Sequence, residues 1–89
     1  MPARRITIIN RLGLHARAAA KFVQTAAKFG CEIAVVRDSK RVNGKSIMGL
    51  MMLAASQGCE IELVTTGEDE DAALAALVEL IETRFGESE

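Results

Sequence analysis

The chain predicts an α+β fold, a two-layer open-faced sandwich in which a four-stranded antiparallel sheet carries three helices on one face. Three observations point there. Apolar and polar residues alternate over short segments such as Glu32 to Arg37 and Glu60 to Thr66, the two-residue period of strands with one buried side. Apolar residues recur at three- and four-residue steps in the segments between and after them, the period of amphipathic helices. The connections are short, so one-sided strands and helices in the order βαββαβα close as an open sheet covered on one face.

Each element has a local cause. Residues 5 to 9, Arg-Ile-Thr-Ile-Ile, are β-branched and roughly alternating, and they end at Asn10 before a Leu12-Gly13-Leu14 turn, which reads as the first strand. From Ala16 to Phe29, Ala19, Phe22, Val23, Ala26, Ala27 and Phe29 fall at helical spacing, with Gly30 as the stop. Ile33 and Val35 alternate with Glu32, Ala34 and Val36; Asp38-Ser39 supplies a turn, and Lys40 to Asn43 return as a short strand, making a hairpin. Ser46 stands where a cap would open a second, shorter helix over Ile47 to Ala55, closed near Gly58. In the last strand, Glu60 to Thr66, Ile61 and Leu63 face one way and Glu60, Glu62 and Val64 the other. Glu68 to Asp71 load the first turn of a final helix with negative charge, which the positive end of its dipole favours, and Ala73, Leu74, Leu77, Leu80, Ile81 and Arg84 follow at helical steps.

Size and charge narrow the function. A chain of 89 residues forms one domain, residues 1–89, burying roughly 60 to 65 per cent of its unfolded surface. Eleven basic against twelve acidic residues leave a net charge of -1, so no global field draws the protein to nucleic acid or to anionic membranes. With three Phe and no Trp or Tyr, stacking on single-stranded bases is poorly served. No segment approaches the ~20 apolar residues that span a bilayer, and the amino terminus lacks a secretory signal, so the expected location is cytoplasmic. Cys31 and Cys59 form no Cys-x-x-Cys pattern; reduced structural thiols are expected, with no metal and no cofactor.

The only histidine, His15, lies in Gly13-Leu14-His15-Ala16-Arg17, between a glycine turn and a helix start. The amides of Ala16, Arg17 and Ala18 lack acceptors within the helix, so an anion at this terminus can take them up, and Arg17 can hold the same group. A neutral imidazole is a nucleophile near neutral pH. The pattern therefore suits a phosphoryl group bound reversibly at His15. Without that position, a lone histidine near an apolar helix is more often a packing or hydrogen-bonding residue; its place at the helix start reverses the balance.

Leu12-Gly13-Leu14-His15-Ala16-Arg17, followed some thirty positions later by Lys45-Ser46-Ile47-Met48-Gly49-Leu50-Met51, resembles HPr, the histidine-containing phosphocarrier family of the phosphoenolpyruvate:sugar phosphotransferase system. The resemblance covers essentially the whole chain. It implies that His15 accepts phosphate on Nδ1 from enzyme I and passes it to IIA domains, with Arg17 binding the phosphate. It implies a carrier that is modified covalently during turnover and is not an independent catalyst. A monomer is expected, and the charge balance and lack of an apolar span predict no direct nucleic-acid or membrane contact. One position departs from the family pattern, which has proline after the arginine where this chain has Ala18. Alanine adds an amide and lets the helix start nearer Ala16, so altered Arg17 geometry with retained function is expected.

Gly44-Lys45-Ser46 does not complete a phosphate-binding loop, because that pattern needs glycine where Ser39 stands. From the residues alone Ser46 is a helix cap; the resemblance implies instead a serine phosphorylated by HPr kinase/phosphorylase. The residues from Ile47 to Leu53 include more apolar side chains than one core-facing stripe can use. Leu50 and Leu53 are the expected core members. Ile47, Met48 and Met51 either pack or form an adaptable partner surface, and the resemblance favours exposure. A competing reading is a regulatory binding module acting through phosphorylated Ser46 with His15 idle. A ligand-sensing or metal-handling domain would need a cavity or clustered Cys and His, and the sequence suggests neither.

Overall fold

A computed structural model describes residues 2–88. Strands β1 (Ala3–Thr7), β2 (Glu32–Arg37), β3 (Lys40–Asn43) and β4 (Glu60–Thr66) form one antiparallel sheet in the order β1-β4-β2-β3. Helices α1 (Ala16–Ala26), α2 (Ile47–Met52) and α3 (Glu70–Glu82) cover it, and a short 3-10 helix follows at Arg84–Gly86. The open-faced sandwich expected from the sequence is the fold observed.

The register explains the core. Ile6 stands opposite Ile61, and Val35 opposite Leu63, so period-two alternation sends these side chains to one face. There they meet Ala18, Ala19, Phe22 and Ala26 of α1, Leu50 of α2 with Leu53 just beyond it, and Ala73, Leu77 and Ile81 of α3. Thr65 shares this buried face, and its hydroxyl donates to the Glu70 carbonyl at 2.9 Å, tying β4 to the start of α3. Val64 points to the opposite face, as its parity requires, yet is buried between Ala3 and Ala34 because β4 is a central strand.

The hairpin strands and β4 keep the predicted bounds, whereas β1 and the helix ends do not. β1 lies two residues earlier than residues 5 to 9, since its pairing stops at Thr7 opposite Glu60; Ile8 continues only through bonds with Gly58 and Cys59. α1 ends at Ala26 rather than Phe29, its last amides tightening onto carbonyls three residues back, Lys28 to Thr25 and Phe29 to Ala26. Gly30 is not its stop: the Gly30 and Cys31 amides donate to the Asp69 carboxylate at 2.9 and 3.0 Å. These bonds outweigh the effect of partial burial and hold the Asp69 carboxyl below its ordinary range, the Gly30 amide contributing most. α2 closes at Met52, with Ala54 taking a positive φ of 51°, well before Gly58. α3 ends at Glu82, so Arg84 lies outside the helix.

Beyond α3 the chain turns back on itself. Arg84, Phe85 and Gly86 have φ of 58°, 54° and 77°, a left-handed run that L residues adopt only under compensation. Phe85 supplies it by burying its ring completely in the core, and Lys21 of α1 donates to its carbonyl at 2.7 Å. This strap delivers residues 87 and 88 to the amino-terminal end of α1.

Candidate functional site

His15 is the N-cap of α1, with extended backbone at φ -77° and ψ 178°, and its carbonyl accepts the Ala19 amide at 2.8 Å. Its side chain also caps: Nδ1 accepts the Arg17 amide at 3.3 Å, a long bond. Of the three amides expected to face a ligand, that of Arg17 is therefore turned toward the imidazole itself. Ala16 is exposed, whereas Ala18 buries its methyl in the core. The loop before His15 is held by Gly13, whose φ is 67° and where a Cβ would lie 2.6 Å from the Ala55 carbonyl oxygen. That approach lets the next amide, Leu14, donate to the same carbonyl at 2.8 Å, seating the histidine loop on the turn after α2.

On its other edge, His15 Nε2 is hydrogen-bonded to Glu87 Oε2 at the end of the strap. Glu87 Oε1 accepts from Asn10 Nδ2 at 3.0 Å, and the same nitrogen donates to the Gly13 carbonyl at 2.8 Å. Asn10 is fully buried, and the His15 and Glu87 side chains are 26% and 15% exposed. The imidazole is thus reachable but braced. Burial pushes the Glu87 carboxyl up, but hydrogen bonds from Asn10 and His15, with the charges of His15 and Lys21, outweigh it and hold the group below its ordinary range.

Exposed Arg17 and Arg11 line a shallow cavity of about 280 Å³ with Leu12, Glu87 and Ser88. The cavity places two guanidinium-bearing residues next to the helix terminus, a setting for an oxyanion. Among the described residues no three of His, Cys, Asp and Glu gather as a metal-ligand set. Cys31 and Cys59 are both free thiols, the first buried.

Ser46 lies apart from this hydrogen-bond network. It is the N-cap of α2, its hydroxyl accepting the Gly49 amide at 3.1 Å, its amide donating to the Asn43 carbonyl and its own carbonyl accepting from Leu50. The cap expected from the residues alone is therefore present, and it is half-exposed. Leu50 and Leu53 are buried, while Ile47, Met48 and Met51 are exposed. Met48 is 76% exposed, and two residues not predicted, Met52 at 69% and Leu12 at 67%, are as open. α1 and α2 pack together, so this apolar surface and the histidine loop lie on neighbouring elements.

Asn10 and Glu87 are the site residues that sequence reasoning missed. Asn10 read as a strand stop. The available signal was Arg84-Phe85-Gly86-Glu87, an aromatic anchor and a glycine after the last helical repeat, which marks a segment that folds back.

The family model described as "PTS HPr component phosphorylation site" matches residues 2–83. Phosphocarrier protein HPr of Pseudomonas aeruginosa is 60% identical over 90 residues, covering the whole of both chains. Among solved structures, HPr-C-His from Thermoanaerobacter tengcongensis superposes with a TM-score of 0.96 at 54% identity, again covering both chains entirely. An HPr dimer from the same organism gives 0.79 at 55% identity, over 98% of this chain and 100% of the other.

Proposed function

The chain belongs to the HPr family of phosphotransferase-system phosphocarriers, and from that premise we propose that His15 is the residue that carries the phosphoryl group. It takes the group on Nδ1 from enzyme I and yields it to IIA domains. The observation that carries this reading is the placement of His15 as a braced, partly exposed N-cap beside two arginines. Amides and guanidinium groups there stabilise a dianion with charge-assisted bonds of about 1.5–3 kcal/mol each. The shallowness of the site suits reversible transfer, since every 1.4 kcal/mol or so of extra holding costs a factor of ten in release. Arg17 is the proposed phosphate-binding side chain, with the first-turn amides of Ala16 and Ala18 contributing, joined by that of Arg17 once the phosphoryl group occupies the Nδ1 lone pair it faces in the free protein.

Ser46 is proposed as a regulatory site for HPr kinase/phosphorylase. Phosphate there adds a charge of about -1.5 to -2 at a helix start, which tolerates it. The charge would sit next to Ile47, Met48 and Met51, the proposed docking surface, and would repel acidic partners without unfolding the domain. Among the described residues no helix is long and apolar enough to cross a membrane. The carrier is proposed to work as a monomer in the cytoplasm.

The experiment combines the protein with enzyme I and labelled phosphoenolpyruvate. Acid-labile label on the protein that vanishes in His15→Ala supports the carrier reading, and no label on the unmodified protein overturns it. A parallel reaction with ATP and HPr kinase should label His15→Ala and spare Ser46→Ala.

A further inference from the structure

We propose that Glu87, oriented by Asn10, is a positioning residue that keeps the His15 proton on Nε2 and so presents the Nδ1 lone pair to phosphorus. The proposal deepens the carrier reading above and rests on it. Neutral imidazole has one donor nitrogen and one acceptor. Both edges of the ring demand the same tautomer. Nε2 faces the Glu87 carboxylate, which accepts, and Nδ1 faces the Arg17 amide, which donates; a proton on Nδ1 would set donor against donor and leave carboxylate against lone pair.

The orientation of Glu87 is itself determined. Asn10 Nδ2 bridges Gly13 O and Glu87 Oε1, two acceptors, so the amide cannot be reversed without placing oxygen against oxygen. Among the described residues its Oδ1 is buried without a hydrogen-bond partner, a cost accepted at few places in a core. Phe85 anchors the strap and Lys21 clips its carbonyl, so the carboxylate reaches the ring from a segment 72 residues away in the chain.

During transfer the Nδ1 lone pair forms the bond to phosphorus while the donor's bond to phosphorus breaks, its electron pair returning to the donor. The ring keeps the Nε2 proton and gains positive charge, which the adjacent carboxylate stabilises, as the buried aspartate does in a Ser-His-Asp triad. Delivery reverses the step: the acceptor's lone pair bonds phosphorus, and the N–P electrons return to Nδ1.

The test is ¹⁵N NMR of the His15 ring in the unphosphorylated full chain, paired with the rate of phosphoryl transfer from enzyme I. The unmodified protein should show the Nε2–H tautomer. Glu87→Gln is the sharpest variant, because its amide oxygen is taken by Asn10 and its NH₂ group must face Nε2, which drives the proton onto Nδ1. The tautomer should invert and the maximal rate fall about tenfold or more, with KM for enzyme I little changed. Glu87→Asp should restore part of both, and Glu87→Ala should give mixed tautomers. An unchanged tautomer in Glu87→Gln and Glu87→Ala overturns the proposal, as does an inverted tautomer with a rate within about twofold of the unmodified protein. Label persisting in His15→Ala overturns the carrier reading instead, and the NMR result then still reports on Glu87.

Discussion

α1 and α2 begin with the same local device and differ in everything that surrounds it. His15 and Ser46 are both extended N-cap residues whose side chains accept a first-turn amide, at 3.3 and 3.1 Å. The Ser46 cap is complete within its own turn, all its bonds running to Asn43, Gly49 and Leu50. The His15 cap is longer, and the residue is braced from outside by Asn10, Glu87 and the Ala55 turn. A cap satisfied locally serves the helix. One held from a distance leaves a lone pair oriented but weakly engaged, as the phosphoryl acceptor proposed for His15 requires.

Breaking the distant brace should therefore cost more than breaking the local cap. Phe85→Ala removes a fully buried ring and should lower stability by about 3–5 kcal/mol in denaturant titration, releasing Glu87 from His15 in the folded fraction. Gly13→Ala puts a Cβ against the Ala55 carbonyl at positive φ; strain alone should cost about 1–3 kcal/mol, with slower phosphotransfer because the histidine loop is displaced. Ser46→Ala should cost about 1 kcal/mol and leave transfer from enzyme I intact; an equal loss at both caps would erase the contrast. Ala18→Pro falls in the first turn, where no intrahelical amide bond is lost, and should change transfer by less than about tenfold.

The smallest effect sharpens the comparison through pH. The folded carboxyl of Glu87 lies below its ordinary range, so the native state binds fewer protons there than the unfolded chain. Its contribution is complete above the ordinary carboxylate range near ~4.3 and is lost as pH falls through the depressed folded value. Comparing thermal midpoints of the unmodified protein and Glu87→Gln across this acid window should show the gap between them closing as pH drops. A constant gap would mean that Glu87 contributes through shape alone.

Legibility followed the range of the cause. β2, β3 and β4 keep their predicted bounds because alternation is written in adjacent residues, and Leu50 and Leu53 are buried as expected, whereas the residues alone left Ile47, Met48 and Met51 open between packing and exposure. The helix ends shifted for reasons that periodicity does not carry: after α1 the amides tightened onto carbonyls three residues back and Asp69 took the Gly30 amide, while Ala54 turned left-handed well before Gly58. Likewise, the exposure of Leu12 and Met52 depends on what the fold leaves uncovered.

From its residues alone, this chain determined its α+β class, the place of His15 and Ser46 at two helix starts, and the family resemblance, since caps and periodicity act within about four residues. Only the tertiary structure decided that Asn10 and Glu87, 77 positions apart, would meet at the histidine. Nothing local asks Arg84 and Phe85 to take left-handed angles. Burial of one aromatic ring in a core assembled from the whole chain offsets that strain, and it is this long-range term that turns the carboxylate back onto the imidazole.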